Sequence, residues 1–231
     1  MINIAKETPR EPLHGRKLYS TFFVGADDIN YKDILDIGCG FGWFELHSSK
    51  LKCKSVKGIE LSATDLSTAK KYLKNIPEIS FLVGSAIKIP FKNSEFDTVV
   101  SWEVLEHIPK GAELEMFNEA NRVLRAKGAF YLSTPNQNIF ACIFDPAWWL
   151  IGHRHYSVSQ LVKYAQRSGF VIEKIETRGG WWEIAGMLDL YISKWVFHRK
   201  PLFGEQVNTK QDTEYRNTGF TNLFIKLIKI S

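Results

Sequence analysis

Cysteine is scarce in this chain. Three residues, Cys39, Cys53 and Cys142, are spread over 231 positions. They are too few and too scattered for a disulfide framework or a paired-thiol zinc site, which points to a reducing, cytoplasmic setting. The amino-terminal stretch MINIAKETPREPLHGRK has no apolar segment of the kind a secretory signal needs. No apolar run approaches the roughly 18 residues of a membrane span. The best attempt, residues 184–197, is broken by Asp189 and Lys194. A strong excess of one charge is missing too. Thirty Lys and Arg face 25 Asp and Glu, with no long basic run, so nucleic acid is not the default partner. Repeats and low-complexity tracts are absent. What is abundant is aromatic: 13% of the chain, with seven tryptophans.

The hydrophobic pattern alternates. Strand-like apolar runs fall at 34–37, 55–59, 79–83, 96–101, 129–133 and 170–175, with helical stretches at 44–52, 65–75, 112–125 and 157–168. Strands separated by helices of this length imply a parallel sheet covered on both faces, a doubly wound α/β domain. One domain is expected over 1–231. It divides into a polar lead-in at 1–32 with an apolar patch at 18–24, a core at 33–178, an insertion at 179–218 and a last segment at 219–231. Within the insertion, 180–201 reads as a helix and 202–217 as a polar loop. The stretch 223–230 (LFIKLIKI) fits an edge strand or a short amphipathic helix equally well by period.

The sharpest local signal is ILDIGCGFGWF at 34–44. A strand ends at Asp36 and passes through Gly38, Cys39, Gly40 and Gly42 into a helix. Glycines there let the backbone turn tightly and approach a ligand at the helix N-terminus. The next strand ends at Glu60, whose carboxylate can accept the hydroxyls of an adenosine ribose. Two details narrow the ligand. The spacing is GxGxG, not the GxGxxG that seats a pyrophosphate, which disfavours a nicotinamide dehydrogenase. A buried acid at Asp36 would repel a phosphate but attract an ammonium group. S-adenosylmethionine, with adenosine, a sulfonium and an amino-acid tail, satisfies both.

The segments DIGCGFG, Glu60, FDTVVSWEVLEHIP and RVLRAKGAFYLSTPN, in that order over about 33–175, resemble the class I S-adenosylmethionine-dependent methyltransferases. The likeness is to the branch that includes ubiquinone-biosynthesis O-methyltransferases. It implies a Rossmann-like, seven-stranded, mostly parallel sheet whose last strand, 223–230, lies antiparallel between the preceding two. It implies that Asp36, Gly38, Gly40 and Gly42 face the methionine part of the cofactor, that Glu60 holds the ribose and that Leu61 packs on the adenine. Ser85, Ala86 and Ile87 would border the adenine ring, Ser85 replacing the family's usual Asp, and Trp102 would lie near the sulfur.

An acceptor hydroxyl or amine must lose a proton, so a base is wanted. His107 in EVLEHIP and His153 and His155 in GHRHYS are the candidates, since both segments follow carboxyl ends of strands. Glu103, Glu106 and these histidines also make an oxygen–nitrogen set suited to Mg²⁺ or Mn²⁺. Similar sets serve some ubiquinone-pathway and small-RNA 3′-terminal 2′-O-methyltransferases. EVLEH also occurs widely in the family without metal, and no metal is assigned here.

Five tryptophans cluster in two segments: Trp148 and Trp149, then Trp181, Trp182 and Trp195. Both Trp pairs are expected to frame an acceptor pocket, so the acceptor should be a small molecule with an apolar or ring-shaped part. Trp195, Phe197, His198, Arg199 and Lys200 mix aromatic and basic groups as an interfacial helix would, which leaves peripheral membrane contact open. The leading expectation is a methyltransferase. An RNA 3′-terminal methyltransferase and a binding protein that keeps the cofactor site without catalysis are the alternatives.

Overall fold

Asp33–Ile37 (β1), Ser55–Glu60 (β2), Ile79–Val83 (β3), Phe96–Trp102 (β4), Leu124–Pro135 (β5), Phe170–Arg178 (β6) and Asn222–Lys229 (β7) form one seven-stranded sheet, in the order β3-β2-β1-β4-β5-β7-β6. The coordinates are a computed structural model that describes residues 8–9, 12–199 and 201–230. The other residues of the lead-in (1–7, 10 and 11), Lys200 and Ser231 lie outside the described residues. The strands from β3 to β5 pair in parallel, and β7 is antiparallel to both β5 and β6. This is the Rossmann-like topology expected, with the last strand inserted between its two predecessors.

Helices cover both faces: Gly15–Val24 (α1), Trp43–Lys50 (α2), Ala63–Leu73 (α3), Glu113–Val123 (α4), Ile139–Ile143 (α5), Pro146–Ile151 (α6), Val158–Arg167 (α7), Trp181–Trp195 (α8) and Gly204–Glu214 (α9). Because both faces are covered, β1 and β4 are buried almost without interruption and read as continuous apolar runs. One core cluster joins Leu35, Val99, Phe117, Phe130 and Ile225; the other joins Ile34, Phe44, Tyr131 and Phe224. Side chains cap the starts of α3 and α7, the second of these signalled by Ser157 in the sequence. Ser62 accepts the Asp65 N–H, and Ser157 forms a capping box with Gln160.

The ambiguous LFIKLIKI is a strand because it is central. Leu223, Phe224, Ile225 and Leu227 are buried, and its lysines are spent locally. Lys226 pairs with Asp28 and Glu173, and Lys229 donates to the carbonyls of Asn121 and Leu124.

The polar stretch 202–217 is a correction: it contains helix α9, not a loop. Its sequence is hydrophilic because only one narrow side is used, where Val207 and Tyr215 are buried. Glu214 then accepts the N–H groups of Gly180, Trp182 and Glu183 at 2.7, 2.9 and 3.0 Å, capping α8 from outside its own sequence. The helix expected over 180–201 stops at Trp195. The patch at 18–24 belongs to α1. Among the described residues no helix is long and apolar enough to cross a membrane.

Candidate functional site

The carboxyl ends of β1, β2, β4 and β5 bring two groups of residues to one edge of the sheet. The first is built on the glycine turn. Gly38, Gly40 and Gly42 have φ of 77°, 52° and 85°, left-handed values that strain a side chain. Their surroundings differ. A methyl group on Gly38 would sit 2.3 Å from Val104 Cγ2, and one on Gly42 would sit 2.8 Å from Leu73 Cδ1. One on Gly40 would meet nothing within 4 Å. Gly38 and Gly42 therefore let the turn pack against its neighbours, while Gly40 presents open backbone.

Asp36, at the end of β1, is buried, and its Oδ1 has no hydrogen-bond partner. Burial, and then the charge of Glu60, push its carboxyl well above the ordinary carboxylate range. Glu60 Oε2 accepts the Gly40 N–H at 3.2 Å; Oε1 accepts those of Leu61 and Ser62 at 2.8 and 3.2 Å. A carboxylate offers about four acceptor sites, so one remains. Leu61 is 74% exposed, an apolar side chain with nothing over it. Ser85 Oγ accepts the Ile87 N–H at 3.4 Å, Ala86 is buried, and Ile87 packs on the core. Cys39 is buried and its thiol is pushed up, first by burial and then by Glu45.

Trp102 sits at the end of β4 with its ring spent on the core, 5.9 Å from Phe44 and 6.4 Å from Phe224. Its buried indole N–H has no acceptor among the described residues. Only that edge is left for a ligand.

Sequence reasoning missed Glu45. It lies in the first turn of α2, fully buried, with the Cys39 thiol set against its carboxyl. Burial, and then the charge of Asp36, push it well up. Gly58 makes the room: a methyl group there would stand 2.3 Å from Glu45 Oε1. An acid in the first turn of a helix ordinarily reads as a solvent-facing dipole partner, so nothing in the sequence marked it.

The second group lines an open cleft of about 830 Å³, whose walls include Glu106, His107, Trp148, His153, His155 and Tyr156. The segments EVLEHIP and GHRHYS are held together by Arg154, another residue sequence reasoning passed over. It pairs with Glu113 and donates to the carbonyls of Leu105 and Ile108. Glu103 is drawn away from the histidines, accepting from Ser133 Oγ at 2.6 Å and Arg16 Nη1 at 2.7 Å. Glu106 Oε2 accepts from Thr134 Oγ1 at 3.0 Å, but its buried Oε1 has no partner. Burial, and then Glu103, raise its carboxyl well above the usual range.

Asp145 organises the histidines, and sequence reasoning did not name it either. Its Oδ1 accepts the Ala147 N–H at 2.8 Å, capping α6 behind Pro146. Its Oδ2 lies 3.0 Å from His153 Nδ1 and 2.8 Å from His155 Nε2. Burial alone would raise this carboxyl, but the bonds from His153, His155 and Ala147 hold it below its ordinary value. His155 is buried, with its other nitrogen, Nδ1, on the Asn136 carbonyl at 3.0 Å. Both of its ring nitrogens are engaged. His153 keeps Nε2 toward the cleft, 3.8 Å from Glu106 Oε1. The His107 ring lies 4.9 Å from that of His153, tilted by 43°, and His107 titrates below its ordinary value, first through loss of water and then through His153. Ligand atoms of Glu106, His107 and His153 lie within 4.8 Å of one another, as do those of Asp145, His153 and His155.

The expected aromatic frame needs correction. Trp148 lines the cleft, edge-on to His155 at 5.2 Å. Trp149, Trp181, Trp182 and Trp195 are not in its walls; they stand largely exposed on helices α6 and α8. The reason is that α8 is held by α9 and lies against α5, not over the cleft.

Residues 34–128 match the family described as "Methyltransferase domain". The chain is 27% identical over 142 residues to a probable S-adenosylmethionine-dependent methyltransferase of Mycolicibacterium smegmatis, covering 62% of this chain and 53% of that one. It is 34% identical over 119 residues to the mitochondrial ubiquinone biosynthesis O-methyltransferase of Candida albicans, covering 48% and 36%. The chain thus spans about half or less of the length of these curated relatives. Among solved structures, an S-adenosylmethionine-dependent methyltransferase from Mesorhizobium loti superposes with a TM-score of 0.62 at 19% identity, over 87% of this chain and 93% of that one.

Proposed function

We infer that this chain is a class I S-adenosylmethionine-dependent methyltransferase and that it methylates a small, partly apolar acceptor. The observation that carries the cofactor assignment is Asp36: a buried carboxyl whose Oδ1 is orphaned, beside a turn whose middle glycine is open. Such a cradle suits a cation, which stabilises the ionised carboxyl, better than a phosphate, which would oppose it. The residues fit the cofactor. Asp36 meets the ammonium of the methionine tail, Gly40 gives it backbone room, Glu60 holds a ribose hydroxyl on its remaining acceptor site, and the bare Leu61 side chain covers the adenine.

Bound there, S-adenosylmethionine supplies a methyl group on a sulfonium, an electrophile that needs chiefly alignment with its acceptor. The chain's own part is to position the acceptor and take its proton. His153 does the second. Asp145 holds Nδ1, which fixes the ring and favours the tautomer with its lone pair on Nε2, facing the cleft. His155 keeps Asp145 in place. Glu106, kept neutral by burial, does not compete for Nε2 with a charge. Trp148 offers the acceptor a flat apolar wall.

One observation favours a second role for the same residues. The orphaned Glu106 Oε1 stands near His153 Nε2 and His107. Glu106, His107 and His153 would hold Mg²⁺ or Mn²⁺ there, which would lower the pKa of a coordinated acceptor hydroxyl. In that case His153 is a ligand and not the base.

Calorimetric titration with S-adenosylmethionine and its demethylated product tests the assignment. Micromolar binding is expected, weakened about tenfold or more by Asp36→Ala and by Glu60→Ala. Unchanged affinity in both variants, or binding of NAD instead, would overturn it. A product-binding protein that shows no turnover with any acceptor would be the non-catalytic alternative. Turnover lost to a chelator and restored by Mn²⁺ would select the metal reading.

A further inference from the structure

The aromatic residues left outside the cleft make a surface of their own. Trp181, at the start of α8, packs on Phe140 and Phe144 with ring centroids 5.5 and 5.9 Å apart. Trp149 of α6 donates its indole N–H to the Ile143 carbonyl of α5 at 3.0 Å, and farther along α8 the Tyr191 and Trp195 rings lie 5.7 Å apart. Helix α5 thus touches both α6 and α8, and the three form one surface. On it Ile143, Trp149, Leu150, Trp195, Val196 and Phe197 are between 45% and 68% exposed. Leu202 and Phe203 extend it past the end of α8 and are exposed as well.

This tip is held in shape. Asp189 accepts the N–H groups of Leu202 and Phe203 at 3.1 and 2.9 Å, and the Arg199 N–H bonds the Ser193 carbonyl at 3.0 Å. Ordered apolar surface of this extent is unfavourable in water until something covers it.

The charges on the face say what the cover is. Lys194, His198 and Arg199 are interspersed in sequence with Trp195, Val196 and Phe197, and Arg199 lies 4.7 Å over the Phe197 ring. Of the nearby acids, Asp189 is used on backbone amides and Glu183 turns inward, 3.6 Å from Arg16. Glu205, exposed at the start of α9, offsets one positive charge. Tryptophan and phenylalanine interleaved with cations match the boundary between headgroups and acyl chains of an anionic bilayer.

We propose that the face formed by α5, α6 and α8 with residues 195–199 and 201–203 docks on an anionic lipid bilayer. Trp148 of α6 lines the cleft while its neighbour Trp149 belongs to this face, so the docked surface adjoins the acceptor side. The proposal does not depend on the methyl-transfer reading.

The test is sedimentation of the full chain with unilamellar vesicles of phosphatidylcholine plus phosphatidylglycerol, and with phosphatidylcholine alone. Binding to the mixed vesicles is expected, accompanied by a blue shift of tryptophan emission, and it should fall severalfold on pure phosphatidylcholine or in high salt. Val196→Ser/Phe197→Ser should weaken it about tenfold or more, with Tm and S-adenosylmethionine affinity unchanged. Arg199→Gln should lessen the preference for the anionic lipid. Failure of the wild type to sediment with mixed vesicles would overturn the proposal. So would a double variant that sediments equally well, or a solution dimer that the same substitutions dissolve. Lack of cofactor affinity in the wild type would count against the methyltransferase reading and leave the docking result standing.

Discussion

His153 Nδ1 lies 3.0 Å from Asp145 Oδ2, and this one contact separates the two histidines of GHRHYS by role. His155 shares the same oxygen but spends its other nitrogen on the Asn136 carbonyl. His153 alone of the pair presents a ring nitrogen to the cleft. Asp145→Asn keeps an oxygen for the Ala147 cap but can present an N–H to the histidines. It is expected to lower kcat about 10²-fold or more while leaving the cofactor's Kd within about threefold. Rates across pH check this, because the wild-type acid limb, where a general base becomes protonated, should move in the variant. A fall in Tm with no change in kcat would reduce Asp145 to a helix cap.

Cofactor affinity should rise with pH. Burial and then Glu60 push the Asp36 carboxyl well above the ordinary range in the free protein, with Glu45 and Cys39 as its other buried neighbours. A cationic ammonium prefers the carboxylate, so binding releases a proton. The dependence should approach about tenfold per pH unit while that release is complete, and flatten once pH passes the raised value. Calorimetry in buffers of different ionisation enthalpy counts the proton directly. Asp36→Asn should bind weakly and without this slope.

Stability should show the opposite trend. Asp36, Glu45 and Glu106 all titrate higher in the folded state than in an unfolded chain, where a carboxyl titrates near about 4. The folded state then holds more protons, so this contribution is full below that value and is lost as pH rises through the folded values. Glu45→Gln removes one such group at nearly constant volume. Urea unfolding between about pH 5 and 8 should decline less steeply in the variant, by at most ~1.4 kcal/mol per pH unit. Parallel curves for the two proteins would mean that Glu45 is charged in the fold.

Trp148 and Trp182 should part company kinetically. Trp148→Ala removes a wall of the cleft and is expected to raise acceptor KM about tenfold, with cofactor KM unchanged. Trp182→Ala, on the exposed side of α8, should leave both within about twofold. Equal effects from the two substitutions would restore the tryptophans of α8 to the acceptor pocket.

Much of the fold was legible because its signals are local. The glycine turn, the cap at Ser157 and the alternation of strands with helices each depend on residues within a few positions of one another. Helix α9 escaped because its buried residues, Val207 and Tyr215, are too few to give a period. Its worth lies in Glu214 meeting the start of α8, some thirty residues earlier in the chain. The site divides the same way. Asp36, Gly40 and Glu60 stand at strand ends that the pattern locates. Glu45, Asp145 and Arg154 owe their roles to partners that only folding brings near.

The order of short-range signals along the chain determined the sheet, the glycine turn and the acidic residues beside it, since backbone conformation follows from neighbours. Which histidine faces the cleft, which acid stays neutral and which tryptophans turn outward were decided by the tertiary structure alone. Those properties depend on burial and on distances between residues far apart in sequence, and no local pattern encodes either.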